Sequence, residues 1–116
     1  MKIGINRNKT IVEFKGFSFE VSIVPIYAES LIADHDKKEK EFRNTENPSV
    51  EQSYEYMNES INLLLAIVES ILLANGYEFD EDFWRRNADA RALIEFIADC
   101  KLKDFQASKK KAENEK

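Results

Sequence analysis

Residues 49–76 constrain the fold more than any other stretch. Ser49 is a candidate N-cap with Gln52 three residues later, the pattern of a capping box. Apolar residues follow at Tyr54, Met57, Ile61, Leu64, Leu65, Val68, Ile71 and Leu72, mostly in the steps of three and four that build a helical face. Asn75-Gly76 closes the run, with the glycine where a left-handed residue after a helix belongs. From Ile61 to Ala74 the helix is apolar on nearly every side. Such a helix is either central, covered from several directions, or placed at a subunit interface. It spans 14 residues there, short of the roughly 18–20 that cross a bilayer, and it carries Asn62, Glu69 and Ser70, so no membrane segment is expected.

The residues before it supply cover. Thr10–Phe14 is rich in strand formers. Phe17–Ile23 alternates, with Phe17, Phe19, Val21 and Ile23 on one side and Ser18, Glu20 and Ser22 on the other. Lys15-Gly16 between the two runs predicts a tight hairpin. Ile3–Ile5 reads as a short first strand, joined through the polar turn Asn6–Lys9, so a small antiparallel meander is expected. Pro25 ends the strand region. A helix is expected over Ile26–Arg43, with Ile26, Tyr27, Leu31, Ile32, His35 and Phe42 as candidate inward positions. Its middle, Asp34–Glu41, reads DHDKKEKE, a solvated stretch free to project from the body.

The residues after it add two helices. Asp80 can cap a short helix running to about Asn87, with Glu81 and Asp82 favoured by the positive helix start. Asp89 can cap a last helix from Ala90 to about Phe105, with Leu93, Phe96, Ile97, Cys100 and Leu102 on its apolar face. The expectation is one α+β domain over residues 1–105, a short β-meander or hairpin followed by three to four helices. Residues 106–116 form a Lys-rich tail expected to be disordered. A chain of 116 residues fits one domain and can bury a core without disulfides or metal.

Composition excludes much chemistry. One His and one Cys cannot build a Cys/His zinc site, and three scattered Gly make no phosphate loop. Asp80-Glu81-Asp82 lacks the alternating ligands and central glycine of a calcium loop. Asp34-His35-Asp36 has relay residue types, but neighbours in a helix do not face each other, so His35 is expected at the surface or an edge. Cys100 is expected to pack. No catalytic residue, cofactor or metal is expected.

Charge narrows the partners. Residues 26–100 hold 7 bases and 17 acids, a net of −10, between ends of +2 and +3. An acidic body repels a phosphate backbone, so no nucleic acid is expected. The start of the chain lacks an apolar leader core, and the single Cys agrees with a reducing cytoplasm. Glu51, Glu55 and Glu59 share one helix face, with no basic residue between Glu46 and Trp84. This stripe is either a solvated face or a contact for a basic partner. Arg85 and Arg86 either pair with Glu81, Asp82 or Asp89, or clamp a partner's carboxylate. Candidate partner-binding residues are therefore Glu51, Glu55, Glu59, Arg85 and Arg86, with Leu63 and Ile67 on the apolar helix. The need for more cover than this chain offers also predicts a dimer or larger ring.

The order of elements, an apolar helix ending in Asn75-Gly76, the turn Phe79-Asp80-Glu81-Asp82-Phe83-Trp84 and the helix with Leu93-Ile94-Glu95-Phe96-Ile97, resembles the tail assembly chaperones of long-tailed bacteriophages and prophages. The resemblance covers roughly residues 2–105. It implies a cytoplasmic, non-enzymatic protein that binds the tape measure protein and helps recruit tail tube subunits, and is absent from the finished tail. Many members are made in two lengths by ribosomal frameshifting, and Lys109–Lys111 is where an A-rich slippery run would fall. Two other readings stay open: a head–tail connector or tail-completion protein, and a small bacterial regulatory module that binds protein.

Overall fold

The computed structural model describes residues 10–101. The chain is α+β, and the described residues form a two-stranded antiparallel hairpin followed by four helices. Strand β1 is Thr10–Phe14 and β2 is Phe17–Val21. Lys15 (φ 49°) and Gly16 (φ 83°) both take positive φ, the type I′ geometry that matches the strands' twist. The register pairs Phe14 with Phe17 and Thr10 with Val21. Val12, Phe19 and Val21 face the core. Phe17 does not join them as expected. At the hairpin tip it overhangs the body, and its ring meets Phe83 edge-on at 5.4 Å. The expected strand at Ile3–Ile5 and the tail at 106–116 lie outside the described residues.

Helix α1 is Ile26–Arg43 and α2 is Val50–Ala74. They form an antiparallel pair joined by a turn in which Asn47 takes φ 47°. The inward face of α1 begins at Ala28 and continues through Leu31, Ile32 and His35. Ile26 and Tyr27 fall out of phase with it and face outward, a correction to the expected inward set. The charged half of α1 does not project. Phe42 stacks on Tyr56 at 4.2 Å, Lys38 bonds Glu59 at 2.7 Å and His35 bonds Ser60 at 2.7 Å. Those three ties, spaced along α1, hold it against the first half of α2.

The ends of α2 follow the sequence signals. Ser49 Oγ accepts from the Gln52 amide, and the Gln52 side chain accepts from the Ser49 amide, so the capping box is complete. At the other end the Tyr77 amide donates to the Leu72 carbonyl (2.9 Å) and the Gly76 amide to the Leu73 carbonyl (3.2 Å), with Gly76 at φ 87°. That is a Schellman motif. Asn75 does more than end the helix. Its Oδ1 accepts from the Ser22 and Ile23 amides, and its Nδ2 donates to the Ile23 and Ile71 carbonyls. The Tyr77 hydroxyl accepts from the Glu20 amide. One short segment thereby caps the outer edge of β2 and fixes the hairpin to α2.

Helix α3 is Glu81–Asn87, capped by Asp80 Oδ1 accepting from the Phe83 amide. Helix α4 covers residues 90–101, where Asp89 Oδ1 accepts from the Ala92 amide. Trp84 is the hub between these helices and the hairpin. It stacks on Phe14 at 4.3 Å and meets Phe96 edge-on at 5.1 Å, with Phe79 and Phe83 beside it. The Phe79–Trp84 motif therefore has a packing role: it supplies the ring cluster that glues hairpin, α3 and α4 together. Cys100 is buried in the same core.

Candidate protein-binding face

Two apolar rows run along α2 and have different fates. Tyr56, Ser60, Leu63 and Ile67, four and three apart, form the row that meets α1 through Phe42 and His35. Val50, Tyr54, Met57, Ile61, Leu64, Val68 and Ile71 form the other, in unbroken steps of four and three. Leu64, Val68 and Ile71 of this second row are buried in the core. Ile61 is half-buried. Beyond it the row leaves the domain: Met57 is 52%, Tyr54 63% and Val50 72% exposed.

A depression of about 160 Å³ opens where the row emerges, lined by His35, Glu39, Tyr56, Met57, Ser60, Ile61, Ala90 and Ile94. Helices α1, α2 and α4 each contribute a wall. Its inner end holds the buried His35–Ser60 pair, with His35 Nε2 2.7 Å from Ser60 Oγ. His35 is 6% exposed, which corrects its expected surface position. The cause lies 25 residues away, in the hydroxyl that satisfies its ring nitrogen. A hydroxyl beside an imidazole is also the opening of a nucleophile–base pair. Both residues sit inside helices, whose backbone N–H groups are spent on the helical ladder, so no backbone donors converge on Ser60 to hold an oxyanion. The pair serves as an interhelical tie.

The candidate partner-binding residues divide by place. Glu51, Glu55 and Glu59 are exposed. Glu59 is engaged by Lys38, whose pKa is raised, first by the hydrogen bond to Glu59 and then by its charge. Glu51 and Glu55 make no ion pair among the described residues. Leu63 is half-buried on the α1 side. Ile67 is 1% exposed and belongs to the core, so it offers no surface. Arg85 Nε reaches Glu81 at 2.6 Å and its Nη2 reaches Asn62 at 2.8 Å, pinning α3 to α2. Arg86 pairs with Asp82 at 2.9 Å. Of the two readings for these arginines, pairing within the chain is the one seen.

By length and composition α2 would also suit a bilayer, since the full helix has 25 residues and extends well beyond the apolar run. Much of its apolar surface is instead packed inside the domain: Leu64, Leu65, Ile67, Val68, Ile71 and Leu72 are all buried. On this face, the residues that reading the sequence missed as surface features are Val50 and Ile94, both exposed and apolar. The unbroken spacing back from Ile61 to Val50 was the available signal for the first.

Comparison with protein-family models, with curated proteins and with solved structures finds no match for this chain.

Proposed function

We propose that this chain is a non-enzymatic binding protein of the tail assembly chaperone kind, which holds the tape measure protein, and with it tail tube subunits, in the host cytoplasm while a long phage tail is built. The observation that carries this reading is the second apolar row of α2. It leaves a well-packed domain and continues in the open through Met57, Tyr54 and Val50, on a helix that also exposes Glu51 and Glu55. A tape measure protein is long and helical and exposes apolar stripes before assembly. A rigid acidic helix face with an open apolar row suits such a client, by the helix-in-groove mode.

The proposal includes self-association through faces other than this row, such as the exposed Ile26 and Tyr27 at the start of α1. Light scattering that gives a mass near 13.5 kDa at high concentration removes that part. The main test is genetic and biochemical. The gene is expected just upstream of one for a long helical tail protein, and the tagged chain is expected to keep that protein soluble on co-expression. Purified particles are expected to lack the chain. Neighbouring genes unrelated to phage structure overturn the reading. Detection of the chain in particles favours a structural tail component instead.

A further inference from the structure

We infer that residues 36–59, the outer end of the α1–α2 pair, are a conformational device: an arm that opens and closes as one unit while the rest of the domain stays folded, with the His35–Ser60 hydrogen bond as its inner boundary.

Burial draws that boundary. The last buried residue of α1 is His35 and the first of α2 is Ser60. These two are bonded to each other at 2.7 Å. Inward of them α1 buries Ala28, and α2 buries Leu64, Val68 and Ile71 among others. Outward of them, from Asp36 to Glu59, no residue is buried. The main favourable term of folding is thus nearly missing from the arm.

What holds the arm is a short set of surface ties. Phe42 stacks on Tyr56, and Lys38 pairs with Glu59. Glu39 pairs with Arg43 one turn along α1, at 2.9 Å. Thr45 Oγ1 donates to the Glu41 carbonyl, and Ser49 and Gln52 cap the start of α2. Exposed ion pairs contribute little and are screened by salt. Helical segments this short hold poorly in water without packing. Glu51, Glu55 and Glu59, four apart, add mild repulsion along α2. Among the described residues, no hydrogen bond, ion pair or ring contact ties residues 36–59 to the β-hairpin, α3 or α4. Helix α4 meets the arm at the depression, where Ala90 and Ile94 share the lining with Glu39, Tyr56 and Met57.

The end of α1 and the start of α2 therefore hold chiefly each other. Loss of one removes the support of the other, which makes a single cooperative unit rather than two fraying ends. Opening stops at His35 and Ser60, because going further breaks a buried hydrogen bond and bares the apolar core.

The exposed row lies on this arm. Closed, the arm is the major state and presents Val50, Tyr54 and Met57 on a continuous helix. Open, it parts Phe42 from Tyr56 and brings both rings to solvent, so the two states offer different apolar surfaces. The face available for binding is thereby carried by the least stable part of the fold.

The test is native-state hydrogen exchange on the full chain, at rising urea below the unfolding transition. Amides of residues 39–43 and 54–59 are expected to share one opening equilibrium with one shallow urea dependence. Their protection is expected to be at least tenfold below that of Leu65, Val68, Ile71 and Leu72. Phe42→Ala is expected to speed the arm amides together, by a common factor. Ile71→Val gives the sharpest separation. It is expected to speed Leu65 and Val68 by about two- to tenfold and to leave the arm amides unchanged, because the core is intact whether the arm is open or closed. Arm amides that accelerate with the core in Ile71→Val overturn the inference, since they would then open only by global unfolding. Exchange that is independent of urea and graded residue by residue toward the 44–49 turn is simple fraying, and overturns it as well. The chain is tested alone, so failure here leaves the proposed function standing, and success holds whatever the client.

Discussion

The two halves of α2 are one continuous helix with two environments. After Ile61 the second row is wrapped by the hairpin, α3 and α4. Before Ile61, among the described residues, α1 packs on the other row and α4 reaches only as far as the depression beside Met57, while Val50, Tyr54 and Met57 are exposed. The spacing of apolar residues is the same in both halves. What differs is the supply of partners: the ring cluster around Trp84 reaches the C-terminal half and goes no further. An apolar pattern therefore specifies a helix face, while the rest of the chain decides whether that face becomes core or remains a place to bind.

The contrast can be broken most severely at Ile71. Fully buried, it is expected to cost about 2–5 kcal/mol on truncation to Ala, whereas Tyr54→Ala is expected to stay within about 0.5 kcal/mol, both read from urea midpoints. Similar losses at the two sites would mean that the first half of α2 is as deeply held as the second. Next is Asn75→Ala, which removes the side chain bonded to Ser22, Ile23 and Ile71. A loss of about 2–3 kcal/mol is expected, with faster hydrogen exchange at the Ser22 and Ile23 amides. Unchanged exchange there would show that the hairpin does not depend on this joint.

Smaller effects sharpen the picture of the open half. Ser49→Ala removes one side of the capping box and is expected to cost about 1 kcal/mol, with exchange rising at Gln52 and Ser53 but not at Val68. A loss of protection along the whole helix would contradict two independent halves. The smallest effect is the Lys38–Glu59 tie. Glu59 raises the Lys38 pKa above its ordinary 10.5, so the stabilisation is fully present below that pH and is lost as pH rises through the raised value. Lys38→Met is expected to flatten that alkaline decline, as followed by thermal unfolding across the range. An unchanged decline would place its cause elsewhere.

Local signals are legible in the sequence. Lys15-Gly16, Ser49 with Gln52, Asn75-Gly76, Asp80 and Asp89 each act through neighbours a few residues away, so spacing alone reveals them. The failures are long-range. His35 looked like a surface residue because its partner, Ser60, is 25 positions distant and carries no mark of pairing. Asn75 was legible as a stop but not as a latch, since the amides it holds lie 52 and 53 residues earlier. Ile26 and Tyr27 were misplaced because α1 sets its phase by Ala28, a small residue that signals burial weakly. At the candidate face, the Glu51–Glu55–Glu59 stripe was legible as shared geometry. Ile67 was not legible as core, because an all-round apolar helix does not say which sides its own chain will cover.

The latch at Asn75 also orders events during synthesis. The hairpin leaves the ribosome first, yet the side chain that caps Ser22 and Ile23 is made 52–53 residues later. At about 5–20 residues per second, that is an interval of about 3–10 s. Throughout it, the Ser22 and Ile23 amides just past β2 lack that acceptor, and a hairpin with an uncovered edge is the form in which strands find wrong neighbours. The joint between hairpin and α2 thus stays open until translation reaches Asn75.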